Sequence, residues 1–406
     1  MHDHPSLLNP LTLPCGVPIA NRFLKSAMSE GLAGKDHAPN ALHQRLYQTF
    51  AEGGAGIVVT GNVMVDATAL GEPGNVVLET ETHLDAFKAL AKAGSTNSSS
   101  LWVQLNHPGK QAPRFITKDP VAPSAIRLEG SMRLAFKKPR ALSDAEIQTL
   151  VKKFAHSAAL VKKAGFGGVQ IHAAHGYLIS QFLSPKHNQR PAPYGGSLPN
   201  RMRFLMEIYA AMRKAVGPSF PIGVKMNVDD FMKGGFTHED ARQVMRSLSE
   251  AGIDLIELSG GSYENPKMMG QSDQEGFFLN LIDGLKEELT APLVITGGFR
   301  SARVMASVIA SSKADMIGLA RPLVIDPSIP QKIAEGTFDR VNLPRIKFRL
   351  NALSQRLGPI LGLSAYEFAM RDMAHGRPAH VSSNGGRLLI QLLWSQGMKA
   401  LIRKRR

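Results

Sequence analysis

Short apolar runs rich in valine and isoleucine recur along the chain, and each is followed by a segment in which apolar residues repeat with a helical period. The strand-like runs cover residues 23–28, 56–60, 101–105, 168–172, 222–226, 254–258, 293–296 and 315–319. Strands that alternate with helices predict βαβ units and a parallel sheet, and their continuous apolarity suits strands buried on both faces. Eight such repeats over about 300 residues predict an α/β fold, a closed (β/α)8 TIM barrel. An open doubly wound sheet is the alternative, but no GxGxxG motif follows the first strand.

Local sequence signals predict elements that accompany the barrel strands: a hairpin, helix starts, long loops and a carboxyl-terminal extension. The stretch "LTLPCGVPIANR" (residues 11–22) has the pattern of a β-hairpin that would plug the amino-terminal end of the barrel. "SDAE" from Ser143 resembles a helix capping box, and Thr237 with Asp240 opens another helix. Long insertions after strands three and four, residues 106–140 and 175–200, are where a barrel enzyme keeps its specificity. We predict a barrel over residues 1–340 and a basic, partly amphipathic helical extension over residues 341–406.

The composition narrows the class of protein. Of 406 residues, 43% are hydrophobic and 20% charged, which is ordinary for a globular protein and excludes general disorder. Cys15 is the only cysteine, so a disulfide framework, a cysteine-rich zinc module and a four-cysteine iron–sulfur cluster are excluded. The amino terminus lacks the apolar region of a signal peptide, and no run approaches 18 apolar residues. We therefore expect a cytoplasmic location.

Positive charge is concentrated in the extension. Residues 345–406 hold 12 Lys and Arg against 2 Asp and Glu, so they carry +10 of the net charge of +15. On a final helix, one broad apolar face would contain Ile390, Leu393, Trp394, Met398 and Leu401. Two interpretations stay open: a helix packed on the barrel or on a neighbouring subunit of a homo-oligomer, and peripheral attachment to anionic lipid. No RRM, zinc-finger or helix-turn-helix motif is present, so we predict no nucleic-acid partner.

The chemically active residues are densest at the predicted carboxyl end of strand four. His172 closes the strand and His175 and Tyr177 follow in the loop, so two imidazoles and a phenol can point into the barrel mouth. A pair of structural histidines is one alternative. A metal pair is another, but no carboxylate or cysteine nearby offers a third ligand, so we predict no metal site. The functional interpretation is that two donors stabilise a developing enolate oxygen, each worth about 3 kcal/mol, while the phenol protonates the adjacent carbon.

Four stretches of the chain resemble the motifs of one family. In chain order they are "NRFLKSAMS" (21–29), "VQLNHPGK" (103–110), "GGVQIHAAHGYLISQFLSP" (167–185) and "YGGSLPNRMRF" (194–204). Together they resemble the Old Yellow Enzyme family of FMN-dependent ene-reductases, especially its bacterial members, over about residues 7–330. The resemblance implies bound FMN, NADH or NADPH as the reductant, and a small enone-type substrate.

The resemblance also implies the catalytic roles. His172 and His175 match the pair that holds the carbonyl oxygen of the substrate, and Tyr177 matches the proton donor. Hydride would pass from flavin N5 to the β-carbon of an α,β-unsaturated carbonyl compound while Tyr177 protonates the α-carbon. The alternative on the same flavin is an amine or aryl-ether demethylase or dehydrogenase, and the non-enzymatic alternative is a basic barrel that binds nucleic acid.

The flavin-binding positions are implied in the same way. Gln104 matches an amide at the flavin pyrimidine edge and Asn62 matches another flavin contact. Lys225 falls where relatives usually carry Arg, a cation beside the N1–O2 locus. The backbone strip beside the isoalloxazine ring corresponds to Ala27, Met28 and Ser29. The phosphate positions after strands seven and eight correspond to Gly297, Gly298, Ala320 and Arg321.

Three departures from the family pattern affect the implied flavin contacts. Ala27 replaces the usual Pro, and Ala320 stands where relatives often have a phosphate-binding Gly. The tripeptide "PAP" (191–193) replaces an Arg-x-Asp-like approach to Tyr194. The catalytic trio is unaffected. Larger relatives with an iron–sulfur cluster are a separate branch, which a chain with one cysteine does not join.

Overall fold

The computed structural model describes residues 4–265, 274–347 and 351–403, and its eight principal strands close into one parallel barrel. In chain order these strands are β1 (Phe23–Lys25), β2 (Ile57–Met64), β3 (Ser100–Asn106), β4 (Gly168–Ala173), β5 (Ile222–Asn227), β6 (Leu255–Ser259), β7 (Leu293–Thr296) and β8 (Met316–Leu319). Closure comes from β8, which pairs in parallel with β1 so that Ile317 lies opposite Phe23. The predicted (β/α)8 barrel is confirmed.

Helices surround the barrel and continue beyond it. They are α1 (Pro5–Leu8), α2 (Ala41–Glu52), α3 (Leu84–Ala93), α4 (Asp144–Lys163), α5 (Leu178–Leu183), α6 (Leu198–Val216), α7 (His238–Glu250), α8 (Ala302–Ala310), α9 (Arg321–Ile325), α10 (Ile329–Ala334), α11 (Asn351–Ala374) and α12 (Gly385–Arg403). Short 3-10 turns span Glu81–His83, Gly109–Gln111, Gly130–Ala135, Leu279–Leu281 and Lys286–Glu288. The predicted capping box is present. The Ser143 side chain accepts a hydrogen bond from the Glu146 backbone N–H, and the Glu146 side chain accepts one from the Ser143 backbone N–H.

The predicted hairpin lies before β1 and closes one end of the barrel. Leu11–Thr12 pairs antiparallel with Pro18–Ile19. Leu13 and Ile19 are 2% and 1% exposed and join the apolar cluster inside the barrel. The plug at the amino-terminal end is therefore confirmed. Other two-residue strands are Val76–Val77, Val121–Ala122 and Arg140–Ala141.

An apolar layer fills the amino-terminal half of the barrel interior. Its members besides the hairpin are Leu24, Ile57, Val59, Trp102, Leu255, Val294 and Met316. Trp102 of β3 is fully buried, and the next two strands, β4 and β5, carry glycine where its indole approaches. A Cβ atom at Gly168 would lie 2.5 Å from the indole and one at Gly223 would lie 3.0 Å from it. The two glycines are thus a steric requirement of packing one large ring into the barrel.

The carboxyl-terminal extension packs on the barrel through α11, which contacts α2 and α9. Leu361, Ala365, Tyr366, Ala369 and Met370 are at most 4% exposed. The next helix, α12, contacts α11 and buries Leu388.

The predicted apolar face of α12 is only partly as expected. Ile390, Leu393 and Trp394 are 64%, 64% and 70% exposed, so this part of the face is not covered by the described part of the chain. The side chains of Met398 and Leu401 lie outside the described set. Among the described residues, no helix is both long and apolar enough to cross a bilayer.

Candidate active site

Three aromatic side chains meet where β4 ends at the mouth of the barrel. The ring centroid of His172 lies 5.1 Å from that of His175 and 4.9 Å from that of Tyr177. His172 is 3% exposed and Tyr177 is 6% exposed. The sequence-predicted trio is therefore brought together on one strand end and the turn that follows it.

His175 is held by two strand ends and one 3-10 turn. Its backbone has a φ of 60°, a left-handed conformation that is uncommon outside glycine and persists only where the surroundings hold it. Its backbone N–H donates to Asn227 Oδ1 at 3.0 Å, and Gln111 Nε2 donates to its carbonyl oxygen at 2.9 Å. Its Nε2 lies 2.7 Å from Ser259 Oγ. These contacts fix the imidazole relative to the carboxyl ends of β5 and β6.

Both imidazoles are neutral near pH 7. Burial lowers the pKa of His172 and of His175 well below the ordinary value, and the Lys225 charge lowers both further. The Ala174 N–H donates to His172 Nδ1 at 3.3 Å, so the His172 proton resides on Nε2. A neutral imidazole of this kind donates a hydrogen bond without giving up its proton.

The Tyr177 hydroxyl has two polar neighbours. It lies 3.0 Å from the Tyr263 hydroxyl, and Asn62 Nδ2 donates to it at 3.5 Å. Burial raises the pKa of Tyr177 well above 10, with a further increase from the hydrogen bond with Tyr263. The phenol therefore stays protonated near neutral pH and is suited to act as an acid.

A second, largely buried polar layer lies inside the barrel next to the trio. Glu257 is 0% exposed and pairs with Lys225, Nζ to Oε1, at 3.1 Å. Ser26 Oγ and Thr296 Oγ1 donate to the same carboxylate at 2.5 and 2.7 Å. Gln170 Nε2 donates to Glu257 Oε2 at 2.8 Å. The predicted Lys225 thus has a carboxylate partner.

The layer continues to the predicted Gln104, whose Nε2 donates to Gln170 Oε1 at 2.6 Å. Burial alone would raise the pKa of Glu257, but the Lys225 charge and the three donated hydrogen bonds outweigh it and hold this pKa below the ordinary value. The layer is a connected network of buried donors and acceptors with one ion pair at its centre.

Ser26 belongs to the polar layer although the sequence comparison did not name it, and β2 is longer than predicted. On the strip after β1, the side chain that reaches the polar layer is that of Ser26, whose Oγ also accepts from Lys225 Nζ at 2.7 Å. Ser29 is half-buried, as are Ala27 and Met28. Asn62 lies within β2, because this strand runs on to Met64 beyond the predicted end at residue 60.

The predicted phosphate positions lie together after β7 and β8. Gly298 has a φ of 77°, and a Cβ atom there would lie 2.2 Å from the Phe277 ring. Ala320 precedes α9 and Arg321 is its first residue. Burial lowers the pKa of Arg321, Tyr366 of α11 raises it and the Arg300 charge lowers it again. The Tyr366 phenol and the Arg300 guanidinium are thus close enough to Arg321 to influence its charge.

The residues present fit an isoalloxazine–phosphate cofactor. Asn62 Oδ1 is buried and has no hydrogen-bond partner among the described residues, which is the condition of an atom that awaits a ligand. A buried cation and amides lie in the barrel, and Arg321 begins the helix that follows β8. That donor set suits a planar acceptor-rich ring with a dianionic tail.

Glu257, Gln170 and Tyr263 are site residues that sequence reasoning missed or left without a role. A usable signal existed for Glu257, since it is a carboxylate inside an otherwise apolar strand. In the parallel register it lies directly opposite Lys225. No comparable signal links Tyr263 to Tyr177 or Tyr366 to Arg321, because those contacts depend on the paths of loops and of α11.

Comparison with known proteins decides the family. The profile of the NADH:flavin oxidoreductase / NADH oxidase family matches residues 6–340. The chain belongs to this family. It is an FMN-dependent NAD(P)H oxidoreductase with an Old Yellow Enzyme-like barrel.

Individual relatives of this flavin oxidoreductase differ in length. The NADH-dependent flavin oxidoreductase iliE of Hypocrea jecorina is 35% identical over 359 residues, 81% of this chain and 88% of the relative. A cinnamate reductase from Clostridium sporogenes is 31% identical over 350 residues, 80% of this chain and 52% of the relative. The chain spans about half the length of some curated relatives.

Solved structures of the family share the barrel. An Old Yellow Enzyme homologue from Zymomonas mobilis superposes with a TM-score of 0.73 at 25% identity, covering 84% of this chain and 95% of that one. Similar proteins come from fungi as well as bacteria, so the bacterial branch stays a prediction.

Proposed function

We propose that this flavin oxidoreductase reduces the C=C bond of α,β-unsaturated carbonyl compounds. The observation that carries the proposal is the trio itself, in which the His172 ring centroid lies within 5.1 Å of both other rings. Two neutral imidazoles beside a protonated phenol are the groups that a polarised carbonyl and its α-carbon require.

His172 and His175 would donate to the carbonyl oxygen of the substrate. Neutral imidazoles stabilise the developing enolate without protonating it, and each such donor is worth about 3 kcal/mol. His175 is suited to this because its backbone is fixed by Asn227 and Gln111. Tyr177 would then protonate the α-carbon, a step worth about 100-fold to 10,000-fold in rate.

FMN, when bound, supplies the hydride that it has taken from NADH or NADPH. We propose that Asn62 and Gln104 hold its polar ring edges and that Lys225 lies beside the N1–O2 region. The strip that would flank the ring comprises Ala27, Met28 and Ser29. The phosphate would bind near Gly297, Gly298, Ala320 and Arg321, where backbone N–H groups and arginine suit a dianion.

The name of one relative agrees with this chemistry. Cinnamate, after which the Clostridium sporogenes reductase is named, has a C=C bond conjugated to a carboxyl group. We infer that conjugated carbonyl compounds are the substrate class, and that residues 106–140 and 175–200 set the choice among them.

An anaerobic titration tests the proposal. NADH or NADPH should bleach the flavin absorbance of the purified holoenzyme, and 2-cyclohexen-1-one should restore it with formation of one cyclohexanone per flavin. Restoration by ferricyanide but by none of a panel of enones would refute C=C reduction. Bleaching of the flavin by amines would instead support the dehydrogenase alternative.

We also propose that α12 contacts anionic membrane surfaces. Ile390, Leu393 and Trp394 are exposed on a helix of an extension with a net charge of +10. An apolar face with a tryptophan beside many cations is typical of helices that lie in a lipid interface.

Co-sedimentation with vesicles of anionic and of zwitterionic lipid tests this contact. The full-length protein should bind anionic vesicles, and the combined change of Ile390, Leu393 and Trp394 to serine should abolish binding. Leu134→Ser is the matched control, because Leu134 is 80% exposed elsewhere on the surface. Equal sedimentation of the wild type, the combined serine variant and Leu134→Ser would refute the proposal. It would also be refuted if the combined serine change converted a dimer to a monomer and left lipid binding unchanged.

A further inference from the structure

Tyr263 lies against the proton donor and has no role in the chemistry described above. Its hydroxyl is 3.0 Å from the Tyr177 hydroxyl, and the two ring centroids are 6.0 Å apart at an interplanar angle of 67°. Tyr263 comes from the loop after β6 and Tyr177 from the turn after β4, 86 residues earlier in the chain. The hydroxyl pair is therefore a product of the tertiary fold.

The two tyrosines differ in their solvent-exposed fraction. Tyr177 is buried, whereas Tyr263 is only partly buried. Asn62 Nδ2 and Tyr263 are the hydrogen-bonding partners of the Tyr177 hydroxyl among the described residues. After Tyr177 gives its proton to a carbon atom, its phenolate would be enclosed, and the partly exposed Tyr263 is the hydrogen-bonded neighbour with an exchangeable O–H.

We propose that Tyr263 supplies the proton that Tyr177 loses in each catalytic cycle. As the Tyr177 O–H bond breaks and a C–H bond forms at the α-carbon, the Tyr263 O–H proton moves to the Tyr177 oxygen. Tyr263 then recovers a proton from water, so no net charge is left in the site. This inference rests on the proposed C=C reduction, and it makes Tyr263 a positioning and proton-supplying residue that acts through Tyr177.

The proton affinities of the pair agree with this direction of transfer. Burial raises the pKa of Tyr263 to about 12, while its hydrogen bond with Tyr177 lowers it. Burial raises the pKa of Tyr177 well above 10, and the same hydrogen bond raises it further. Both groups are therefore protonated at neutral pH, and the shared hydrogen bond favours the proton on Tyr177.

A buried ionic cluster holds the Tyr263 loop in place. Glu264 Oε2 lies 3.5 Å from Lys110 Nζ and 3.1 Å from His187 Nε2, and all three side chains are at most 5% exposed. Glu264 Oε1 also accepts from the Glu129 N–H at 2.7 Å. The cluster thus joins the loops after β3, β4 and β6 at the residue next to Tyr263.

The backbone of Tyr263 is fixed as well. Its N–H donates to Gln111 Oε1 at 3.4 Å, and Gln111 also holds the His175 carbonyl oxygen. One side chain therefore sets the positions of the proton supplier and of a proposed carbonyl-binding histidine. This shared support explains how a residue on a loop can keep hydrogen-bonding distance to the catalytic phenol.

Anaerobic half-reactions of the holoenzyme test the proposal with two electron acceptors. 2-Cyclohexen-1-one requires protonation at carbon, whereas ferricyanide takes electrons without it. Tyr263→Phe should slow flavin reoxidation by the enone about 10-fold, less than the loss of about 100-fold or more expected for removal of the general acid itself, and leave reoxidation by ferricyanide and reduction by NAD(P)H unchanged. Tyr209→Phe is the matched control, because it removes a hydroxyl that contacts the Ala251 carbonyl oxygen on the outside of the barrel.

A double variant distinguishes a proton relay through Tyr177 from a structural effect of the Tyr263 change. If Tyr263 acts through Tyr177, the Tyr177→Phe/Tyr263→Phe enzyme should be no slower with the enone than Tyr177→Phe alone. Multiplied losses, a loss with ferricyanide too, or a Tyr263→Phe enzyme as fast as wild type would overturn the relay. A wild-type enzyme that reacts with ferricyanide and with no enone would instead overturn C=C reduction, and the relay with it.

Discussion

The two halves of the barrel interior show opposite chemistry on the same strands. Toward the amino-terminal end, Leu24, Trp102 and Leu255 belong to an apolar layer closed by the hairpin. Two residues further along the same strands, Ser26, Gln104 and Glu257 belong to a polar network. Side chains face the barrel interior at every second residue of a strand. Two residues along each strand therefore separate the apolar layer from the polar layer that lies next to the candidate active site.

The difference separates the source of stability from the source of function. The apolar layer buries a tryptophan and part of the hairpin, and its buried members are hydrophobic side chains. The polar layer places an ion pair in the interior, where desolvation offsets most of the attraction between the charges. We therefore expect changes in the first layer to reduce stability most, and changes in the second to affect the flavin most.

The largest loss of stability should come from Trp102→Ala. Removal of a fully buried aromatic side chain leaves a cavity beside Gly168 and Gly223, and such changes cost about 3–5 kcal/mol. Urea unfolding should show a lower free energy of unfolding. Trp102→Phe should lose less, and a midpoint shared by wild type and both variants would contradict the role of this layer.

In the polar layer, Glu257→Met should cost about 3 kcal/mol of stability because it leaves the buried Lys225 charge without its partner. The double change Lys225→Met/Glu257→Met should recover most of that stability and still bind FMN more weakly than wild type. Urea unfolding of the FMN-free protein and fluorescence titration with FMN measure the two properties. Wild-type FMN affinity in the double variant would show that this pair is purely structural.

The smallest expected effect is a pH dependence from Lys25, a buried charge outside the polar layer. Its Nζ donates to the Val59 carbonyl oxygen at 3.1 Å and lies 4.8 Å from the centroid of the Phe50 ring. Burial lowers the pKa of Lys25 from 10.5 to about 8 in the folded protein. The folded state therefore binds fewer protons than the unfolded state between about pH 8 and pH 10.5, and this residue's contribution to stability rises across that window.

Lys25→Met should remove that rise. The difference in unfolding free energy between wild type and variant should change in favour of wild type as the pH increases from 8 to 10.5, measured by urea unfolding at fixed salt. Lys88→Met is the control, because Lys88 is half-exposed and pairs with Asp85 at the surface. A pH-independent difference would contradict burial of the Lys25 charge.

The strands could be predicted well from the sequence, because short continuous apolar runs separated by turn signals rarely form any structure other than buried strands. The catalytic trio was also predictable, since His172, His175 and Tyr177 lie within six residues of one another on a single strand end. Their burial at the mouth depends on the closed barrel and the loops around it. The hairpin plug followed from the same local signals and needed no information about distant contacts.

Contacts between distant loops could not be predicted in this way. The hydroxyl contact between Tyr177 and Tyr263 joins the turn after β4 to the loop after β6. The packing of α11 on α2 and α9 depends on how the extension crosses the barrel surface. In the polar layer, the pairing of Lys225 with Glu257 required the strand register, although each charge inside an apolar strand was visible in the sequence.

The central claim is that the trio at the mouth performs acid catalysis on a bound carbonyl compound. Stopped-flow measurement of the two half-reactions of Tyr177→Phe tests it most directly. We predict that reduction of the flavin by NAD(P)H stays within about two-fold of wild type, while reoxidation by 2-cyclohexen-1-one slows about 100-fold. Equal losses in both half-reactions, or reoxidation at the wild-type rate, would contradict the account.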